Sequence, residues 1–224
     1  MPFVLVTGAA RGIGLALVQA HVARGDSVLA TCRAPSPELA ASGAEVLDGV
    51  ELTESASVAR IRAALDGRRL DRVVLNAGVL RVESLDELVH EGAADAVLEQ
   101  FEVNALAPLR LAAALRAHLA PGARIGLVTS RMGSIADNGS GGYYGYRMSK
   151  AALNAGARSL AIDLAAQQAL VFILHPGFVR TAMTGGRGDV TPAQSAAGLI
   201  ERMDNLGAEH SGSFWHANGT PLPW

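Results

Sequence analysis

Cysteine, lysine and tyrosine are nearly absent from this chain. Among 224 residues there is one cysteine, Cys32, one lysine, Lys150, and three tyrosines. A lone cysteine excludes an internal disulfide framework and a cysteine-built metal site. The six histidines show no H-x-x-x-H or H-E-x-x-H spacing, so no metal is expected. No apolar run reaches the roughly 18–20 residues that cross a bilayer. Met1-Pro2 leads straight into FVLVT, without the charged n-region or cleavage site of a signal peptide. Charge of one sign is missing too: a formal net charge of −2 leaves no basic footprint for nucleic acid or an anionic membrane. There is no G-x-S-x-G elbow, which sets aside a Ser-His-Asp hydrolase. A soluble, cytoplasmic protein is expected.

Half of the residues are hydrophobic and 18% are charged, as in a compact globular chain. At this length folding removes roughly 70–75% of the unfolded surface from water. Short apolar runs alternate with helical patterns throughout. Strands are expected at 3–7, 27–31, 44–47, 72–76, 124–130, 170–175 and 211–215; helices at 13–24, 54–66, 93–119, 146–167 and 192–205. Most of the strand runs lack a polar alternate face, as in strands covered by helices on both sides. Thr191 and Pro192 suit the N-cap and first turn of the last helix. With no linker, repeat or charge block, residues 1–224 are expected to form a single α/β domain. Its fold is a Rossmann-type doubly wound parallel sheet of about seven strands flanked by helices.

The first strand runs into TGAARGIG. Gly8, Gly12 and Gly14 permit a tight turn and a close backbone approach to a pyrophosphate seated on the following helix N-terminus. The spacing is G-x-x-x-G-x-G, which an ordinary glycine-rich βα turn also allows. Dinucleotide enzymes that take NAD carry an acid about 20 positions further on. That place reads Thr31-Cys32-Arg33. Arg33, with Arg11 in the turn, can pair with a 2′-phosphate, so NADP(H) is expected in preference to NAD(H).

All three tyrosines and the lysine fall within GYYGYRMSK, residues 142–150. Tyr146 and Lys150 are four apart and share a helix face. A free phenol, with pKa near ~10, is a poor acid at neutral pH. A neighbouring ammonium is expected to lower that value. A buried tyrosine beside a solvated lysine is the ordinary outcome of such a spacing; joined to a dinucleotide turn it points to chemistry.

TGAARGIG, LNAG (75–78), FEVNALAPL (101–109), VTS (128–130), YRMSK (146–150) and HPGFVRT (175–181) stand in an order that resembles the short-chain dehydrogenase/reductase family. GSI (133–135), HPGFVRTAM (175–183) and PLPW (221–224) are most similar to its C-factor/sniffer branch of carbonyl reductases. The resemblance implies an Asn-Ser-Tyr-Lys tetrad. Tyr146 exchanges a proton with the carbonyl oxygen, Lys150 tunes it and holds the nicotinamide ribose, and Ser130, three residues before Gly133, bonds the substrate oxygen. Asn104 holds a water linking Lys150 to solvent. It also implies cofactor contacts from Gly8, Arg11, Gly12, Ile13, Gly14, Arg33, Asn76, Ala77 and Gly78. Tyr146, Lys150, Pro176, Gly177, Val179 and Thr181 complete that set, with Glu51-Leu52 in the place of the acidic-apolar adenine contact. His175 need only end a strand. Met132, Tyr144, Phe178 and Met183, with Tyr143, are candidates for the substrate pocket.

Two features depart from the pattern. Fifteen residues separate Ser130 from Tyr146, a few more than the family has, so NGSGGYYG is expected as a longer loop and Ser134 is the competing serine. The segment AMTGGRGDV after Thr181 is short and is expected to be a small mobile lid. The function implied is an NADPH-dependent reductase of an aldehyde or ketone; the alternative is an NADP-binding sensor or signalling protein with little turnover. Family habit adds a homodimer or homotetramer, paired through the outer faces of helices 93–119 and 146–167.

Overall fold

A computed structural model describes residues 1–224. Seven strands form one parallel sheet: β1 (Phe3–Thr7), β2 (Ser27–Thr31), β3 (Glu45–Leu47), β4 (Leu70–Leu75), β5 (Leu119–Val128), β6 (Leu170–His175) and β7 (Phe214–His216). Their order is β3-β2-β1-β4-β5-β6-β7. The order reverses direction between β1 and β4, and the crevice beyond the strand ends at such a switch is where this architecture takes ligands.

Successive strand residues feed opposite faces. Leu5, Val73, Ile125 and Ile173 pack with Ile61, Leu111 and Leu153 on one side. Val4, Val6, Val74 and Phe172 pack with Leu17, Leu199 and Met203 on the other. Both strand faces are apolar because both are roofed, and each such side chain contributes about 1.5–3 kcal/mol when fully buried. The helices are α1 (Gly12–Ala23), α2 (Pro37–Ala40), α3 (Ser55–Ala64), α4 (Ala93–Phe101), α5 (Ala107–Leu115), α6 (Tyr144–Leu164) and α7 (Pro192–Asn205). None is long and apolar enough to cross a membrane.

Thr191 caps α7 as expected: its Oγ1 accepts from the Gln194 amide at 3.2 Å, and Gln194 Oε1 accepts from the Thr191 amide at 2.9 Å. Four expectations are refined. The helix expected over 93–119 is α4 and α5 joined by a π-helical turn, Glu102–Leu106, and β5 begins at Leu119 rather than 124. β7 covers 214–216, since Gly212 still turns the chain with φ +79°. The 109–120 run turns Leu111, Ala112 and Leu115 into the sheet and leaves only small apolar side chains, Ala113 and Ala117, exposed beside Arg116. The exposed apolar residues sit earlier, at Leu98, Phe101 and Leu106, and on α6 at Met148 and Ile162.

Candidate active site

The β1–α1 turn presents its backbone. No protein acceptor takes the Gly12, Ile13 or Gly14 amides, and α1 has neither a side-chain cap nor an acid in its first turn. Three free N–H groups at a helix N-terminus suit an anion. Gly14 must lack a side chain, because a Cβ there would stand 2.1 Å from the Gly8 carbonyl oxygen. Asn76 braces this turn, its Nδ2 donating to the carbonyls of Thr7 (3.1 Å) and Gly8 (3.3 Å). Thr7 Oγ1 accepts from the amides of Asn76 and Ala77. Free amides and a side-chain-free backbone suit this cradle to a pyrophosphate.

At the far end of the crevice Arg11 and Arg33 are both exposed. Arg33 forms a loose ion pair with Glu51 at 3.7 Å, so that carboxylate is shared with Arg33 rather than held free for an adenine. Leu52 buries its side chain in the core, which leaves only its backbone for a ligand.

The tetrad residues converge beyond β4 and β5. Ser130 follows β5, and its Oγ accepts from the Met132 amide at 3.1 Å while standing beside the Tyr146 phenol. Ser134 is instead committed to the loop, its Oγ accepting from the Asp137 amide at 3.1 Å. Lys150 is buried, with Nζ donating to the Val128 carbonyl at 3.0 Å and lying 5.8 Å from the centre of the Tyr146 ring. Two of its three N–H groups keep no protein partner. Gly78 passes close by: a Cβ there would meet Asn104 Oδ1 at 3.0 Å and Lys150 Nζ at 3.6 Å.

Asn104 sits within the π turn, a helical irregularity that recurs at functional sites. Its Oδ1 accepts from the Val79 amide at 2.8 Å; its Nδ2 donates to the Val79 carbonyl at 2.9 Å and to Ser149 Oγ at 3.0 Å. The side chain is thus first a strut between the segment after β4 and α6.

Burial pushes the Tyr146 phenol up to about 12, which the Ser130 hydroxyl offsets only in part. Burial alone brings the Lys150 ammonium down to about 8. The expectation that Lys150 lowers the phenol's pKa is therefore not met by the protein alone. By the pH at which the phenol would ionise, Lys150 has already lost its charge.

The segment expected as a mobile lid is a compact closed loop. The Gly186 amide donates to Thr181 O at 2.8 Å, Asp189 to Phe178 O at 2.7 Å and Arg180 to Val190 O at 3.0 Å. The Val179 amide has no protein acceptor, and Thr181 folds its methyl over Gly12. Pro176 and Gly177 lead into this loop. Burial, reinforced by His216, brings His175 down to about 3; its ring meets the His216 edge at 4.8 Å, so it stays neutral. Phe178 and Met183 are about half exposed, and Met132 and Tyr144 are partly buried near Ser130 and Tyr146. Arg147 laces the expected longer loop, donating to Gly142 O at 3.1 Å and Ser140 Oγ at 2.9 Å. Glu83 and Gln100, absent from the expected site, stand behind the tetrad. They lie 17 positions apart and in no motif, so no local signal marks them.

A family model described as enoyl-(acyl carrier protein) reductase matches residues 8–208. A 1-hydroxy-2-glutathionyl-2-methyl-3-butene dehydrogenase from Rhodococcus sp. (strain AD45) is 42% identical, covering 100% of both chains. The carbonyl reductase Sniffer of D. melanogaster superposes with a TM-score of 0.89 at 30% identity, covering 100% of each chain. An NADPH-bound carbonyl reductase from chicken fatty liver gives 0.89 at 31%, covering 100% of this chain and 94% of that one. Matched along its length in sequence and in fold, and carrying the tyrosine–lysine pair beside a free-amide turn, the chain belongs to the short-chain dehydrogenase/reductase family.

Proposed function

We propose that this protein is an NADPH-dependent carbonyl reductase that converts an aldehyde or ketone with an apolar body into an alcohol. One observation carries the reading: a proton-loaded phenol, Tyr146, stands with Ser130 and a buried ammonium at the end of the crevice opposite Arg33. When bound, the nicotinamide supplies a hydride to the carbonyl carbon. Tyr146 gives its proton to the carbonyl oxygen, and a phenol held near 12 keeps that proton at neutral pH until charge develops on the oxygen. Ser130 orients the oxygen by a hydrogen bond. Lys150, cationic below about 8, offers two free N–H groups to the ribose and a positive field to the phenol it must recharge. Asn104 fixes α6 against the segment after β4. The Gly12, Ile13 and Gly14 amides hold the pyrophosphate, and the Val179 amide and Thr181 hold the carboxamide. Met132, Tyr144, Phe178 and Met183 supply the apolar wall.

The NADPH-bound relative and the absence of an acid after β2 support NADP(H) over NAD(H), with Arg11 and Arg33 on the 2′-phosphate. The exposed Leu98, Phe101, Leu106, Met148 and Ile162 support a homo-oligomer. We place it in the cytoplasm; no helix is long and apolar enough to cross a membrane. Arg33→Glu tests the preference. The Arg33–Glu51 pair is exposed and contributes little to stability. Losing a charge-assisted bond to the phosphate is worth about 1.5–3 kcal/mol, so the ratio of kcat/KM for NADPH over NADH should fall roughly tenfold to a hundredfold. An unchanged ratio would remove Arg33 from the site.

A further inference from the structure

Glu83 and Gln100 are buried, and no step above uses either. Gln100 Oε1 accepts from the Arg81 amide at 2.8 Å, which turns its Nε2 toward Glu83 Oε1. The other carboxylate oxygen, Oε2, accepts from the Gly145 amide at 3.2 Å, one residue before Tyr146. The Glu83 carbonyl accepts from the Tyr143 amide at 3.0 Å. Tyr143, the N-cap of α6, holds the left-handed φ of +54° and provides no side-chain cap. A non-glycine residue keeps that conformation only where its surroundings impose it. Gly145 leaves no slack, since a Cβ there would meet Gln100 Nε2 at 2.5 Å and Glu83 Oε1 at 3.0 Å. One turn beyond Gln100, Asn104 grips Val79. Two amides four residues apart thus hold the 79–83 segment, and that segment's carboxylate holds the start of the tyrosine helix, at its positive end.

We propose that Glu83, seated on Gln100, is a positioning residue: it caps α6 from across the site and sets where Tyr146 stands. The assignment rests on the carbonyl-reductase reading of Tyr146. An amide at position 83 would turn an N–H against either Gln100 Nε2 or the Gly145 amide, leaving one donor unanswered. The exchange E83Q/Q100E reverses the direction of the chain. The carboxylate then at position 100 still accepts from the Arg81 amide and also accepts from the side-chain N–H at position 83. The amide oxygen at position 83 in turn serves Gly145. Only the 3.3 Å bond from Gln100 Nε2 to the Ala96 carbonyl is given up.

The parent protein and both variants would be compared by hydrogen exchange at the Gly145 amide and by NADPH oxidation with a carbonyl the parent reduces. In E83Q, Gly145 should exchange at least about tenfold faster. Because small misplacements of a reacting group are costly, kcat should fall about tenfold to a hundredfold, with KM for NADPH within about twofold. E83Q/Q100E should recover most of both losses. Unchanged exchange and kcat in folded E83Q would overturn the assignment, as would an exchanged pair that recovers neither. A parent protein that reduces no carbonyl would overturn the reductase reading instead, while the exchange rates still decide whether Glu83 anchors the helix.

Discussion

At the scale of single residues, Tyr146 and Lys150 are displaced from their ordinary pKa values by the same cause in opposite senses. Desolvation disfavours the charged form of each, so the phenol rises and the ammonium falls. The phenol therefore arrives protonated, as reduction requires. The ammonium is the weaker partner, because its charge is lost within reach of physiological pH. If the Lys150 charge is needed for the nucleotide and the phenol, kcat/KM for NADPH falls as pH rises through about 8. A profile flat from about pH 7 to 9.5 would contradict that role. The pairing is legible in the sequence, since the only lysine lies one turn from a tyrosine. The pKa of the pair is not, because burial depends on the whole of β5 and α6.

At the scale of elements, strand–helix alternation, the α7 cap and the first glycine turn follow from local chemistry, and the fold shows them where the residues place them. The π turn at Glu102–Leu106 has no such signal, because FEVNALAPL reads as continuous helix and the extra residue is held by Asn104 bonding across to Val79. The Glu83 cap was illegible for the same reason: its partners lie 17 and 62 positions away. Gly145 is where packing and propensity oppose each other. Alanine would gain about 1 kcal/mol of helix propensity. It would also press a Cβ against Gln100 and to within 3.1 Å of the Val97 Cα, and overpacking of that kind costs about 1–3 kcal/mol. Backbone is the part that cannot yield, so Gly145→Ala should lower the urea midpoint and kcat together. A variant more stable than the parent, with full kcat, would show that α6 can shift without consequence.

At the scale of the whole molecule, the end of the sheet that carries the site also carries an acid liability. His175 is buried against His216 and takes up a proton only near pH 3 when folded. Unfolded, it does so near ~6.5. Between those values the unfolded chain binds more protons, so stability present above about pH 6.5 is lost as pH falls toward 3. The difference corresponds to at most roughly 4–5 kcal/mol. His175→Phe keeps an aromatic edge for His216 and removes the titration. His21 titrates in both proteins and drops out of the comparison, while His216, held down by burial and Arg131, keeps an aromatic neighbour in both. The variant should lose less stability than the parent between about pH 6.5 and 4 in denaturant melts, and parallel losses would show that His175 is already solvated.

The central claim is that the tetrad turns over a carbonyl at the expense of NADPH. Its most direct test follows oxidation of NADPH and of NADH with a panel of aldehydes, ketones and quinones, for the parent and Tyr146→Phe. Turnover should be strong with NADPH and weak with NADH. It should fall by about 10²–10⁴ when the phenolic proton is removed, while NADPH binding persists. Tight NADPH binding without turnover of any carbonyl, in parent and variant alike, would contradict the claim and leave a nucleotide-binding sensor on the same scaffold.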